Sequence, residues 1–205
     1  MKLNAVASAF KKNKILYILD DSHGNQWLSN RAAYYLISAM PKLVAENVLT
    51  MFDIPEDKHG DWNCYEREMI EYENQLCCDG CGVVENPVEL MEVEISWQGK
   101  KFLFLKKEKG NDIFAIGEKL LKPLYDDAEY LRFFARETID GKFTAITCHN
   151  GLELKAVILP MRIHEKTLKE INLISSFFSK PYEIFEMPEE NPEDDETDYE
   201  QGTIE

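Results

Sequence analysis

YLRFFARETIDGKFTAITCHNGLELKAVILPM, residues 130–161, carries three runs rich in β-branched and aromatic residues, separated by Asp140-Gly141 and Asn150-Gly151. Dipeptides of that kind tolerate the positive φ that tight hairpin turns require. The stretch therefore predicts a three-stranded antiparallel meander. Working outward, VELMEVEISW (88–97) and KKFLFLKKE (100–108) read as a hairpin joined at Gln98-Gly99-Lys100, with alternating faces. Near the start, KILYILDD (14–21) runs into the turn signal Asp-Asp-Ser-His-Gly-Asn, and NQWLSN follows as its partner strand. RAAYYLISAMP fits strand and helix equally by period, and Pro41 closes it.

Helical periods appear between these runs. Val44, Val48, Met51 and Phe52 share one face of a helix that ends before Pro55. Trp62, Tyr65, Met69, Tyr72 and Leu76 form a stripe that predicts one continuous helix over 62–76, capped by Asp61. Leu168, Ile171, Ile174 and Phe178 line a last helix that Pro181 ends. The fold class is α+β, mainly antiparallel, with three to four amphipathic helices. A strand–turn–strand–proline–helix order recurs from KILYILDD and again from KFTAITC, which suggests a pseudo-repeat of pattern rather than identity. The expected organisation is one globular domain over 1–185, with halves at 1–87 and 88–185, and a tail at 186–205.

The tail stands apart in charge. It holds ten Asp or Glu and no Lys or Arg, so the chain's net charge of −15 falls to −5 for residues 1–185. With almost no large apolar side chain it cannot offset its own ordering entropy, and disorder is the expectation. It reads as a solubilising segment, or as a tether that competes with nucleic acid. Such an acidic chain is a poor candidate for direct, sequence-reading DNA binding, which normally shows a basic face. Apolar runs are too short to span a bilayer. Five cysteines and no export signal point to a reducing cytoplasm.

Chemistry is sparse. Cys77, Cys78 and Cys81 cluster in QLCCDGCG, and zinc is the cofactor such thiols would hold. Upstream, His59 and Cys64 complete a nominal Cys3His set. If 62–76 is one helix, however, Cys64 and Cys78 stand about 21 Å apart along its axis. Ligands of one ion lie within about 4 Å of each other. The cysteine run also follows a helix rather than opening one, so the helix dipole has the wrong sign for a redox thiol. A helix-to-strand corner is the preferred reading, with no cofactor. Cys148 and His149 are neighbours on a strand and point to opposite faces, which excludes them as a nucleophile–base pair. Asp20-Asp21 and Asp126-Asp127 are carboxylate pairs beside turns, where Asp also serves local hydrogen bonding. Arg132, Arg136, Lys142 and Lys155, interleaved with Phe133, Phe134 and Phe143, are the candidate residues for single-stranded nucleic acid. No phosphate-binding loop or nucleophile elbow occurs, and the expectation is that the chain is not an enzyme.

AITCHNGLELKAVILP followed by EKTLKEINLI resembles a stretch of bacterial DNA sliding clamps, in which a strand, a glycine turn, a strand and an apolar-proline segment lead into a Lys- and Leu-rich helix. No histidine follows Gly151 as it does in that family's turn, and a clamp protomer is much longer. The resemblance implies at most one or two clamp-like domains, and it transfers no functional residue. The expected function is that of a non-enzymatic acidic interaction protein, bacterial or phage, binding a protein partner among nucleic-acid-handling machinery. The alternatives are a clamp-like DNA-associated module that acts as an oligomer, and a zinc-stabilised binding domain.

Overall fold

The computed structural model describes residues 3–161, apart from 39, 79–82, 98, 110 and 111, together with Glu170. The last helix, the tail and Cys81 lie outside the described residues. By compactness the chain forms two units, Met1–Leu168 and Lys169–Glu205, and the first holds the sheet.

The elements are α1 (Leu3–Phe10), β1 (Ile15–Asp20), β2 (Gln26–Ser29), β3 (Ala33–Ile37), α2 (Ala45–Met51), β4 (Asn63–Glu68) and α3 (Glu71–Cys77). They continue as β5 (Val84–Trp97), β6 (Lys100–Lys107), β7 (Ile113–Gly117), α4 (Glu118–Leu121), β8 (Leu131–Glu137), β9 (Thr144–Asn150) and β10 (Glu153–Ile158), with short 3-10 segments at Glu56–Asp61 and Lys122–Tyr130. The class is α+β, as the sequence predicts. Among the described residues the strands form one ten-stranded sheet, ordered β4-β1-β2-β3-β10-β9-β8-β5-β6-β7. Every pairing is antiparallel except β1 with β4. The expected boundary between halves, at 87/88, falls inside β5.

Two meanders, β1-β2-β3 and β8-β9-β10, meet where β3 pairs with β10. Each ends just before a proline, Pro41 or Pro160. The strand-level likeness read from the sequence thus concerns three strands per copy rather than two. RAAYYLISAMP resolves as strand because Tyr34 and Leu36 face one side of the sheet while Tyr35 and Ile37 face the other.

Alternation sorts the apolar residues onto two faces. One face carries Leu16, Ile18, Leu28, Tyr35, Ile146 and Ile158, and it is covered by α1, α2 and Leu121 of α4. On the other, Tyr17, Leu19, Trp27, Tyr34 and Val157 pack against Leu76 and Cys77 of α3. Among the described residues no helix is long and apolar enough to cross a membrane.

The continuous helix expected over 62–76 does not form. Residues 63–68 are β4, which runs parallel to β1 with Ile15 opposite Asn63 and Asp20 opposite Glu68. Only 71–77 is helical. The sequence NCYERE has no β-branched residue, and five of its six positions are exposed. Its strand conformation comes from pairing with a partner about 48 positions away, a tertiary contact that overrides local period. The helix starts where it does because Glu73 turns back to accept the Ile70 backbone N–H at 3.0 Å.

Candidate binding site

Without a continuous helix over 62–76, a different barrier separates the thiols. Cys64 packs on the α1–α2 face and Cys77 on the α3 face, so the sheet lies between them. Burial pushes the Cys77 thiol well above its ordinary range, with the neighbouring Cys78 adding to the effect. None of the four described cysteines is in a disulfide. Cys78 instead approaches the β1–β2 turn, where its Sγ and ligand atoms of Asp21 and His23 lie within 4.8 Å of one another. That Asp21 carboxylate is already engaged. One oxygen accepts the backbone N–H groups of His23 and Asn25, and the other accepts Asn25 Nδ2 and Trp27 Nε1, at 2.8–3.0 Å. A cation would have to displace those bonds, and among the described residues His23 and Cys78 alone fall short of the four ligands zinc prefers. A cavity of about 520 Å³ lined by Trp27, Leu36, Cys77 and Leu154 adjoins this corner. Asp20 pairs with Lys42 at 3.0 Å. The side chains of Asp126 and Asp127 lie outside the described ones.

Of the four basic candidates, one is buried and two are paired with carboxylates. Arg136 is 2% exposed. It meets Glu85 through Nη2 at 2.7 Å and donates Nη1 to the carbonyls of Leu76 (2.9 Å) and Cys78 (3.2 Å). It caps the C-terminus of α3, and the expectation of a nucleic-acid contact at Arg136 is corrected on that ground. Lys142 pairs with Asp140 and Lys155 with Glu153, at 2.9 and 2.7 Å. Arg132 is exposed on β8. Cys148 and His149 do point to opposite faces, with His149 Nε2 lying 3.3 Å from Glu85.

A second cavity of about 520 Å³ lies on the α3 face, lined by Tyr17, Ser29, Arg31, Tyr34, Tyr65, Arg67, Tyr72, Glu73 and Leu159. Tyr17 of β1 and Tyr65 of β4 stack at 4.7 Å, because the parallel pairing sets them directly opposite. Arg67 grips the buried Glu73 through both terminal nitrogens, at 2.7 and 2.9 Å. Tyr34 also donates to Glu73, at 3.2 Å. Burial would raise the Glu73 carboxyl, but the Arg67 bonds outweigh it and hold the group below its ordinary value.

Arg31 differs from Arg67. It occupies the turn between β2 and β3, and Asn30 Oδ1 braces that turn by accepting the N–H groups of Ala32 and Ala33 at 3.0 Å. Its Nε donates to the Tyr17 hydroxyl at 2.7 Å, and Nη2 donates to the same oxygen. Among the described residues no carboxylate lies within 4.0 Å of its guanidinium. Its φ is +70°, in a tight hairpin position that favours glycine. Lys14 and Asp53 also have positive φ, but each follows a helix end, where that conformation is a usual terminator. Arg31 follows a strand.

Sequence reading did not find this cleft. The one signal was the set of tyrosines at 17, 34, 65 and 72, of which the last two fall in a helical stripe. Comparison of the chain with models of protein families, with curated proteins and with solved structures finds no match.

Proposed function

We propose that the chain is a non-enzymatic binding protein that docks a protein partner at the cleft between β1, β4 and α3. One observation carries this reading. Arg31 holds an exposed charge with no carboxylate beside it among the described residues, in a backbone conformation that costs a non-glycine residue roughly 1–2 kcal/mol. The chain has 38 acidic residues from which a partner could have come. An arginine kept strained, bonded to a tyrosine hydroxyl and to no described carboxylate beside a tyrosine-lined cleft, is an arrangement suited to an incoming anionic group. The acidic segment at 186–205 enters the reading through its charge, as tether or competitor.

The test is affinity capture with three baits: the whole chain, the chain ending at Phe185, and Arg31→Glu. The reading expects a set of proteins held by the first two baits and lost from the third. Lys106→Glu, an exposed charge on β6, eight strands from β4 in the sheet order, serves as the control. Identical capture by the whole chain and Arg31→Glu removes the cleft from consideration.

A clamp-like module remains the second reading, because two three-stranded meanders meeting at β3 and β10 give the paired-unit arrangement such domains are built from. Mass in solution is its check, and a monomer at all salt concentrations ends it.

A further inference from the structure

The cleft carries more chemical detail than docking in general. Tyr17 is 6% exposed, and its hydroxyl oxygen accepts twice from Arg31. Nothing among the described residues accepts the hydroxyl's own proton. A buried hydroxyl hydrogen ordinarily finds an acceptor. Arg31 spends two of its five N–H groups on Tyr17, and the others remain to be satisfied. Free donors of both groups therefore lie at one end of the cleft and call for an oxygen pair.

Charge selects which oxygen pair. Arg31 and Arg67 against Glu73 leave the cleft one formal positive charge. A carboxylate neutralises it. A phosphate monoester, at about −1.5 to −2, would leave excess negative charge in a molecule already at −15. The remaining walls are aromatic: Tyr65 has 46% of its surface exposed, and Tyr72 stacks on Phe143 at 4.6 Å. An Asp or Glu side chain has nothing to place against them. Only a chain end unites a carboxylate with an apolar side chain on one residue. The rim agrees, because Tyr65 belongs to β4, the edge strand among the described residues, whose outer backbone groups can pair with an extended segment.

We infer that the cleft binds the C-terminal residue of a partner protein, its carboxylate between Arg31 and the Tyr17 hydroxyl and its apolar side chain against Tyr65. The inference rests on the cleft being the docking site. It is tested with an array of degenerate heptapeptides ending in apolar or aromatic residues, each made as free acid and as C-terminal amide, and with N-acetyl-phenylalanine as the free small acid. Free-acid peptides bind, and amidation weakens them about tenfold or more, as loss of a charge-assisted bond does. Arg31→Gln loses the same factor. Arg31→Gly also loses binding yet is no less stable to denaturant, because glycine relieves the positive φ. That variant separates a binding role from a folding one. Tyr17→Phe weakens binding severalfold.

Amides that bind as well as acids, through internal Asp or Glu, overturn the terminal carboxylate while leaving the cleft as docking site. N-acetyl-phenylalanine binding as tightly as the peptides overturns the protein partner in favour of a small acid. If no peptide binds although Arg31→Glu still abolishes capture, the inference fails and the docking reading survives. If capture is unchanged by Arg31→Glu, both fail.

Discussion

Glu85 shows what one half-buried carboxylate does for this fold. Burial would favour its neutral form, but hydrogen bonds from His149 and Thr147 and the charge of Arg136 outweigh that and bring it to about 2. Its folded value lies below the ordinary 4.5, so the stabilisation is complete above about pH 4.5 and is lost as the pH falls toward 2. The size of the shift puts that contribution at no more than about 3 kcal/mol. Glu85→Gln should cost up to about 3 kcal/mol at pH 7, since it removes the ionised carboxylate that Thr147, His149 and Arg136, 2% exposed, all bind. Urea midpoints measured from pH 6 down to pH 3 check both statements: the gap between wild type and variant should close with acid. A gap that holds constant across that range removes the ionised pair as the cause. Asp21 is the other carboxylate set by its hydrogen bonds. Burial opposes its charge, yet the Trp27 and Asn25 bonds lower its value. It braces a turn, and chelator should leave the thermal midpoint of the purified protein unchanged.

At the scale of elements, the segment after Trp62 is where sequence and structure part company. Its helical stripe mixed two environments. Trp62 packs on the α1–α2 face, Met69 and Leu76 on the other, and Tyr65 stands at the rim with 46% exposure. Five period matches over fifteen residues can therefore arise without a helix. The hairpins were legible because their information is local: Gly99 and Gly151 take φ of +70° and +63° where a two-residue connection needs them. Asp140-Gly141 proved part of a longer loop, with Glu137 paired to Thr144. A parallel edge strand of mostly exposed residues, none of them β-branched, has no local signature, and the cleft that depends on it was equally hidden. What ties β4 to α3 is the pair of Arg67 with Glu73, whose side chain is 4% exposed. Arg67→Ala should destabilise by roughly 3 kcal/mol, because Glu73 would remain buried and uncompensated. Glu73→Gln should cost less, and the double variant little more than Glu73→Gln alone. A thermodynamic cycle reads the coupling directly. Additive single costs would mean that the two elements are joined by packing instead.

For the whole molecule, the governing quantity is a net charge of −15 around a cleft of formal charge +1. An approaching carboxylate is repelled at long range and attracted only on arrival. Mobile ions screen the first interaction far more than the second, since the Debye length is about 10 Å at 0.1 M salt and the contact is a hydrogen bond. The net charge and the cleft therefore push the salt dependence in opposite directions, and the long-range repulsion should set the association rate. For a heptapeptide with extra acidic residues before its free C-terminus, raising salt from about 10 to 100 mM should speed association severalfold. A peptide of the same end but neutral body should change little. Stopped-flow measurement of both rates decides the matter. Association that slows with salt for the acidic peptide would locate binding on a cationic surface, and the cleft would not be the place where the partner lands. Single-stranded oligonucleotides meet the same field with more charge, and the expectation is that they are not retained at about 0.1 M salt.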